Sequence, residues 1–363
     1  MLEISGQIMS ADIPVVEIEN GIVKSVNKEL APLFFLRSLD FTTWLESRAI
    51  DSHRTNSRLL KKALRLSNKD DANTVLAVNA VTITDNYWFK ESGSDLTWEN
   101  VRFKENFFDN LALCGDFESF NQPVSRTPEL TNIGSFEKCW RLIDNKWWLY
   151  KTGNQLEYFS ELFIAKLAEK LGFPMAKYEL HDNYVRTLDF TNGNQFNFEV
   201  AESLVGDNEF YDVNFEKFYS ISKDVAADYL RMIYLDTLCS NVDRHTKNYG
   251  VLRDVNSGKI ISLAPNYDNN IALIARGYPK STNRENDKLI DFFLDLLRDV
   301  PKASELFNEL EIPVVTADMI NECIDEVGID VEKDIIIDYI FSGQQIISEF
   351  IDQFLSEDPT LSM

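Results

Sequence analysis

The sequence predicts an α+β fold in which a smaller β-rich lobe precedes a larger helical lobe, with a mixed α/β region in front of both. Three observations lead there. At 363 residues the chain exceeds what one hydrophobic core ordinarily organises, so two lobes or domains are expected. From Phe136 the apolar pattern reads as strand, turn and strand. The C-terminal third instead repeats apolar residues at helical spacing, as in DKLIDFFLDLLRDV and EKDIIIDYIFSGQQIISEFIDQFL.

Composition narrows the class. With 44% hydrophobic and 12% aromatic residues the chain has enough apolar material to fold and lacks the signature of disorder. A formal net charge of -23 argues against broad attraction to phosphate, so neither direct nucleic-acid binding nor an anionic membrane surface is expected. Cys114, Cys139, Cys239 and Cys323 are scattered without a CxxC pair, which indicates neither a zinc site nor a disulfide framework. The opening MLEISGQIMSADIPVVEIENG has no signal-peptide pattern and no stretch is long enough to span a membrane, so a cytoplasmic location is the expectation.

In order along the chain, residues 14–18 and 22–26 read as strands and 54–66 as a helix. TVLAVNAVTITDNYWF and SDLTWENVRF read as a packing or partner-recognition module. The polar stretch DFESFNQPVSRTPELTNIGSF, with two prolines, reads as a connecting loop. A boundary there gives an N-terminal accessory domain over 1–125 without an assigned role, a smaller lobe over 126–205 and a larger one over 206–363.

KCWRLI and KWWLYK flank Asp144-Asn145, a hairpin signal. Alternation puts Trp147, Leu149 and Lys151 on one face of the second strand and Trp148 and Tyr150 on the other. Alone, Lys151 reads equally well as a strand end emerging into solvent. The helix LEYFSELFIAKLAEKLGFP follows, with stop signals at Gly172 and Pro174. Glu161 shares a helical face with Ile164, Ala165, Ala168 and Leu171, and a carboxylate on a buried stripe needs a partner. Lys151, ten residues earlier, is the natural one, and a strand lysine held by a helix glutamate is how protein kinases place an ammonium on nucleotide phosphates.

QFNFEVAESLVG reads as a strand leading into a linker. Ser222 then caps a helix carrying Val225, Tyr229, Met232 and Ile233 on one face and running to about Leu238. That helix delivers NVDRHTKNYG, residues 241–250, whose polarity packing alone does not explain. Two apolar segments around Asn256-Ser257-Gly258 follow as a hairpin, which folds Asn248 towards Asp268. An Asn and an Asp suit magnesium, which prefers hard oxygen ligands. Asp243 stands five residues before Asn248, the Asp-to-Asn spacing of a kinase catalytic loop.

NVDRHTKNYG followed by LAPNYDN, and preceded by NIGSFEKCW, WWLYK and SELFIAKLAEKLGFP, resembles the HipA family of bacterial serine/threonine kinases over about residues 128–350. The resemblance implies a bilobal protein kinase-like fold, also similar to phosphoinositide kinases, with ATP and Mg2+ as cofactors. It implies Asp243 as catalytic base, Asn248 and Asp268 as magnesium ligands, Lys151 as the phosphate-binding lysine and Glu161 as its anchor. TNIGSFEK would be the loop over the phosphates, with Gly134 its only glycine and Thr131 or Ser135 the autophosphorylation site. Lys247 would lie near the transferred phosphate, and His245 would be a structural hydrogen-bonding residue. The implied partners are a protein substrate with a Ser or Thr acceptor and an antitoxin or regulatory protein, with toxin or regulatory action both open. Residues 1–125 do not obviously match the small domain that precedes the HipA core. A small-molecule or lipid kinase and a pseudokinase scaffold binding nucleotide or a partner are the alternative readings.

Overall fold

The computed structural model describes residues 4–357. The first three and last six residues, which end the ranges 1–125 and 206–363, lie outside the described residues. The chain forms two compact units. One comprises the chain up to Gly153 with Glu179–Leu204 and Val251–Ile261; the other comprises Asn154–Tyr178, Val205–Gly250 and the chain from Ser262 onward. The architecture is α+β with antiparallel strand pairs.

In the first unit, β1 (Gly6–Ser10), β2 (Ile13–Glu19), β3 (Ile22–Val26) and β4 (Tyr87–Glu91) form a sheet in the order β3-β2-β1-β4. The two strands expected at 14–18 and 22–26 are β2 and β3. The aromatic run read as part of a packing or partner-recognition module supplies β4, whose Tyr87, Trp88 and Phe89 are all buried. The helix expected over 54–66 spans Thr55–Ala63 and is followed by Arg65 in the left-handed region (φ 60). The polar stretch expected as a loop contains two short 3-10 helices, Phe117–Asn121 and Pro128–Thr131.

The hairpin expected around Asp144-Asn145 is β5 (Lys138–Ile143) and β6 (Lys146–Lys151), paired from Lys138↔Lys151 to Ile143↔Lys146. Both turn residues have positive φ, 49° and 60°, the geometry whose twist matches a two-residue hairpin. With β7 (Tyr178–His181) and β8 (Tyr184–Leu188) they form a second sheet in the order β5-β6-β8-β7. One hydrophobic core joins Met9, Trp88 and Leu111 to Leu130, Trp140 and Trp148, so residues on either side of position 125 share it. β9 (Phe196–Val200), β10 (Gly250–Asp254) and β11 (Ile260–Leu263) make a third sheet in the order β11-β10-β9.

The second unit is mainly helical. Helix Gln155–Leu171 starts with a capping box in which Asn154 accepts from Glu157 N–H while Glu157 accepts from Asn154 N–H, and it ends at left-handed Gly172. Helix Lys223–Leu238 begins at Ser222, whose hydroxyl accepts from Val225 N–H at 3.1 Å. Its Tyr234 packs with Phe293 of helix Lys288–Asp299 and Phe307 of helix Pro301–Glu309, ring centroids 5.7 and 5.4 Å away, and the two phenylalanine rings lie 5.2 Å apart. Helices Ala317–Val327 and Lys333–Glu357 complete the unit. Among the described residues no helix is long and apolar enough to cross a membrane.

Candidate active site

Helix Lys223–Leu238 delivers the loop 239–249 directly from its C-terminus, and a single guanidinium organises that loop. Arg244 donates to both carboxylate oxygens of Asp236, 2.7 Å from Nε and 2.9 Å from Nη2. Its Nη1 reaches the carbonyls of Asn248 and Tyr267, each at 2.7 Å. Nη2 also donates to the side-chain oxygens of Asn266 (2.8 Å) and Asn269 (2.7 Å). The two stretches carrying Asn248 and Asp268 therefore meet at one nitrogen, as the intervening hairpin β10–β11 leads one to expect. Burial works against the charge on Arg244, but Asp236 outweighs it and holds the guanidinium above its ordinary pKa.

Around this knot the loop is fixed by short-range bonds. Asn241 donates to Asp236 at 3.0 Å and to Asn269 at 3.2 Å, and its own oxygen accepts from Asp243 N–H at 3.2 Å. Asn248 Nδ2 donates to the Asp243 carbonyl at 2.8 Å and lies 3.4 Å from Asp243 Oδ2. That bond commits the amide nitrogen, so Oδ1 is the atom of Asn248 suited to a hard cation. His245 Nδ1 accepts from Lys247 N–H at 3.2 Å, and the His245 carbonyl accepts from Asn248 N–H at 2.8 Å. His245 is thus a loop-forming residue. Lys247 is exposed, with its carbonyl accepting from Tyr267 Oη at 3.1 Å. Asp268 has left-handed backbone (φ 63), and its N–H donates to Tyr178 Oη at 2.9 Å. An amide oxygen and a carboxylate are the donor types a magnesium ion takes alongside phosphate and water.

Glu161 belongs to the same unit and is buried to 1% exposure. Ile164, Ala165, Ala168 and Leu171 of its face are buried too. Lys151, Gly134, Ser135 and Thr131 belong to the other unit. Lys151 is only 5% exposed, so it does not emerge into solvent at the end of β6. Its cross-strand partner Lys138 is also buried, and a Cβ added at Gly134 (φ 109) would strike the Lys138 ammonium. Ser135 is exposed, whereas the hydroxyl of buried Thr131 donates to the Val81 carbonyl at 2.7 Å. Beneath this loop, fully buried Glu129 accepts from Trp140 N–H (2.7 Å), Asn106 Nδ2 (2.8 Å) and Asn132 Nδ2 (2.8 Å). Burial pushes its carboxyl up to about 7, against the pull of Arg54 and these donors.

Sequence reasoning assigned no role to Asp236, Arg244, Lys138 or Arg284. Asp236 was within reach, because it follows Met232 by one helical turn on the buried stripe that was recognised. Arg284 gave no such signal: it donates to the carbonyls of Leu238 (2.8 Å) and Thr237 (2.7 Å), tying down the helix end that launches the loop, and pairs with Asp287 at 2.7 Å.

A family model described as the HipA-like C-terminal domain matches residues 134–334. No curated protein matches the sequence. Among solved structures, a chain of the Shewanella oneidensis MR-1 toxin–antitoxin complex of HipA, HipB and operator DNA is similar with a TM-score of 0.56. The two are 13% identical, over 96% of this chain and 99% of that one. A Helicobacter pylori proinflammatory kinase, CtkA, is 21% identical over 58% of this chain and 95% of its own, with a TM-score of 0.37. The likeness in fold to the Shewanella chain extends in front of residue 128, where the sequence showed no clear resemblance.

Proposed function

The chain belongs to the HipA-like C-terminal domain family, and from that premise we propose that it is an ATP- and magnesium-dependent serine/threonine protein kinase of HipA type. The observation that carries this reading is the Arg244 knot, which fixes the Asp243 loop and the Asp268 loop against each other. Two loops of unrelated purpose have little reason to carry an Asp, an Asn and a second Asp while locked together by one buried cation.

In this reading residues 126–205 and 206–363 act as the two lobes of a kinase, with 1–125 in front. Asp243 orients the acceptor hydroxyl and takes its proton as the oxygen bonds to the γ-phosphorus and the bond to ADP breaks. Asn248 and Asp268 hold magnesium, which when bound neutralises phosphate charge. Lys151 and Lys138 hold phosphate oxygens, Glu161 orients Lys151, and Lys247 stands near the transferred group. Most of the rate enhancement then comes from positioning and fixed charge. The acceptor is a Ser or Thr of a protein. Exposed Ser135 fits autophosphorylation better than Thr131, whose hydroxyl is buried and engaged. The Shewanella chain sits with HipB in its complex, which supports looking for an antitoxin-like partner here and leaves toxicity to be tested in cells. A net charge of -23 favours a partner protein over direct contact with nucleic acid.

The test is the intact mass of the purified chain before and after incubation with ATP and Mg2+, beside Asp243→Ala and Asp268→Ala. A phosphate-sized gain in wild type alone, mapped to Ser135, is the expected result. Equal gain in Asp243→Ala would remove Asp243 from the chemistry. Absence of both gain and nucleotide binding in the wild type would overturn the kinase reading.

A further inference from the structure

Residues 1–125 have no assigned chemistry, yet the start of helix Thr55–Ala63 reaches the loop that would cover the phosphates. The residue before the helix is Arg54, 1% exposed. Its Nη1 donates to the Asn132 carbonyl at 2.9 Å and its Nη2 to the Lys138 carbonyl at 2.6 Å. These carbonyls are the two feet of the loop 132–138, so one planar fork closes it. Two residues further on, Asn56 N–H donates to Glu137 Oε1 at 3.1 Å, and Arg54 Nε lies 3.8 Å from Glu137 Oε2. Asn56 is itself held, its Nδ2 donating to the Ala112 carbonyl at 3.1 Å. Glu129 grips the Asn132 side chain. The feet are thus anchored while Ile133 and Ser135 at the crown are exposed.

We infer that Arg54 is a positioning residue for the loop 132–138, and that through it residues 1–125 set how well the loop holds a nucleotide's phosphates. This rests on the assignment of that loop to the phosphates. Ordering a free loop costs backbone entropy, and a loop with both feet fixed has borne part of that cost at folding. The guanidinium presents rigid, divergent donors that span two carbonyls, which a lysine ammonium on a flexible stem cannot reproduce. A merely space-filling Arg54 would affect stability everywhere in its surroundings and leave nucleotide affinity alone.

The experiment uses the full chain as wild type, Arg54→Lys, Glu137→Gln and, as a control, Arg58→Lys at an exposed position of the same helix. Amide hydrogen exchange is followed across 132–138 without nucleotide, and KM for ATP and kcat are measured separately. In Arg54→Lys, exchange of the 132–138 amides should accelerate about tenfold and KM should rise about tenfold, with kcat within about threefold of wild type. Glu137→Gln should show a smaller change in the same amides, which keeps the idea testable if Arg54→Lys does not fold. Arg58→Lys should match wild type. Unchanged loop exchange with unchanged KM, or a uniform acceleration throughout the surrounding core, would overturn the inference. Accelerated loop exchange in a protein whose wild type neither turns over nor binds ATP would support the clamp and sink the kinase reading instead.

Discussion

A buried guanidinium facing a buried carboxylate is costly to assemble and more costly to break, because removing one partner strands the other charge. Arg244 and Asp236 are such a pair, with side chains 3% and 1% exposed. Arg244→Met and Asp236→Asn should each lose about 3–5 kcal/mol of stability, and the double variant clearly less than their sum. Urea unfolding of all four proteins measures that coupling; strict additivity would mean the knot is not a unit. Glu129 makes a second prediction at this scale. In the folded chain its carboxyl stays protonated up to about 7, against a reference near 4.5. Between those values the native state binds more protons than the unfolded one, so this group's contribution to stability falls as pH rises through that window. Relative to Glu129→Gln, the wild type should lose on the order of 2 kcal/mol between pH 5 and pH 8, given 1.36 kcal/mol per pKa unit. A pH-independent difference between the two proteins would show that Arg54 and the three donors keep Glu129 ionised throughout.

At the scale of elements, what could be read in advance was whatever neighbouring residues decide. The β5–β6 hairpin was legible because Asp144-Asn145 tolerates the left-handed backbone its turn requires. Asn145→Gly should therefore be neutral or slightly stabilising, while Asn145→Val should cost about 1–2 kcal/mol, since a β-branched residue resists positive φ. Thermal or urea midpoints check this directly, and equal stability of the two variants would contradict the turn geometry. Helices were legible by the same local logic: Ser222 and Gly172 terminate them through side chain or backbone. The aromatic run ending in β4 was not legible, because its strand identity comes from pairing with β1 far back in the chain. The same limit hid Arg54 and Arg284, whose partners lie 78 and 46 positions away. Asp236 differs, since the periodicity that drew attention to Glu161 applies to it equally.

For the molecule as a whole, the polar, proline-containing stretch near residue 125 reads as a linker, and composition offers nothing against that. Packing does: Met9, Ile50, Leu60, Trp88 and Leu111 share one core with Leu130, Trp140, Trp148 and Tyr150. Polarity reports that a segment runs over the surface, whereas a domain boundary also requires that few apolar contacts cross it. Cutting there would leave Trp140, Trp148 and Tyr150 facing water on a sheet that still needs a second layer. A fragment of residues 126–363 is thus expected to aggregate or to unfold without a cooperative transition, although it contains nearly every residue of the candidate site. Size-exclusion chromatography and urea unfolding, compared with the full chain, decide it. A monodisperse fragment with a cooperative transition and undiminished nucleotide binding would show that residues 1–125 are dispensable to the core. Failure of the fragment alone would not separate loss of the shared core from loss of the Arg54 clamp. The full-length Arg54→Lys protein does, because it keeps every apolar residue of that core and changes only the fork.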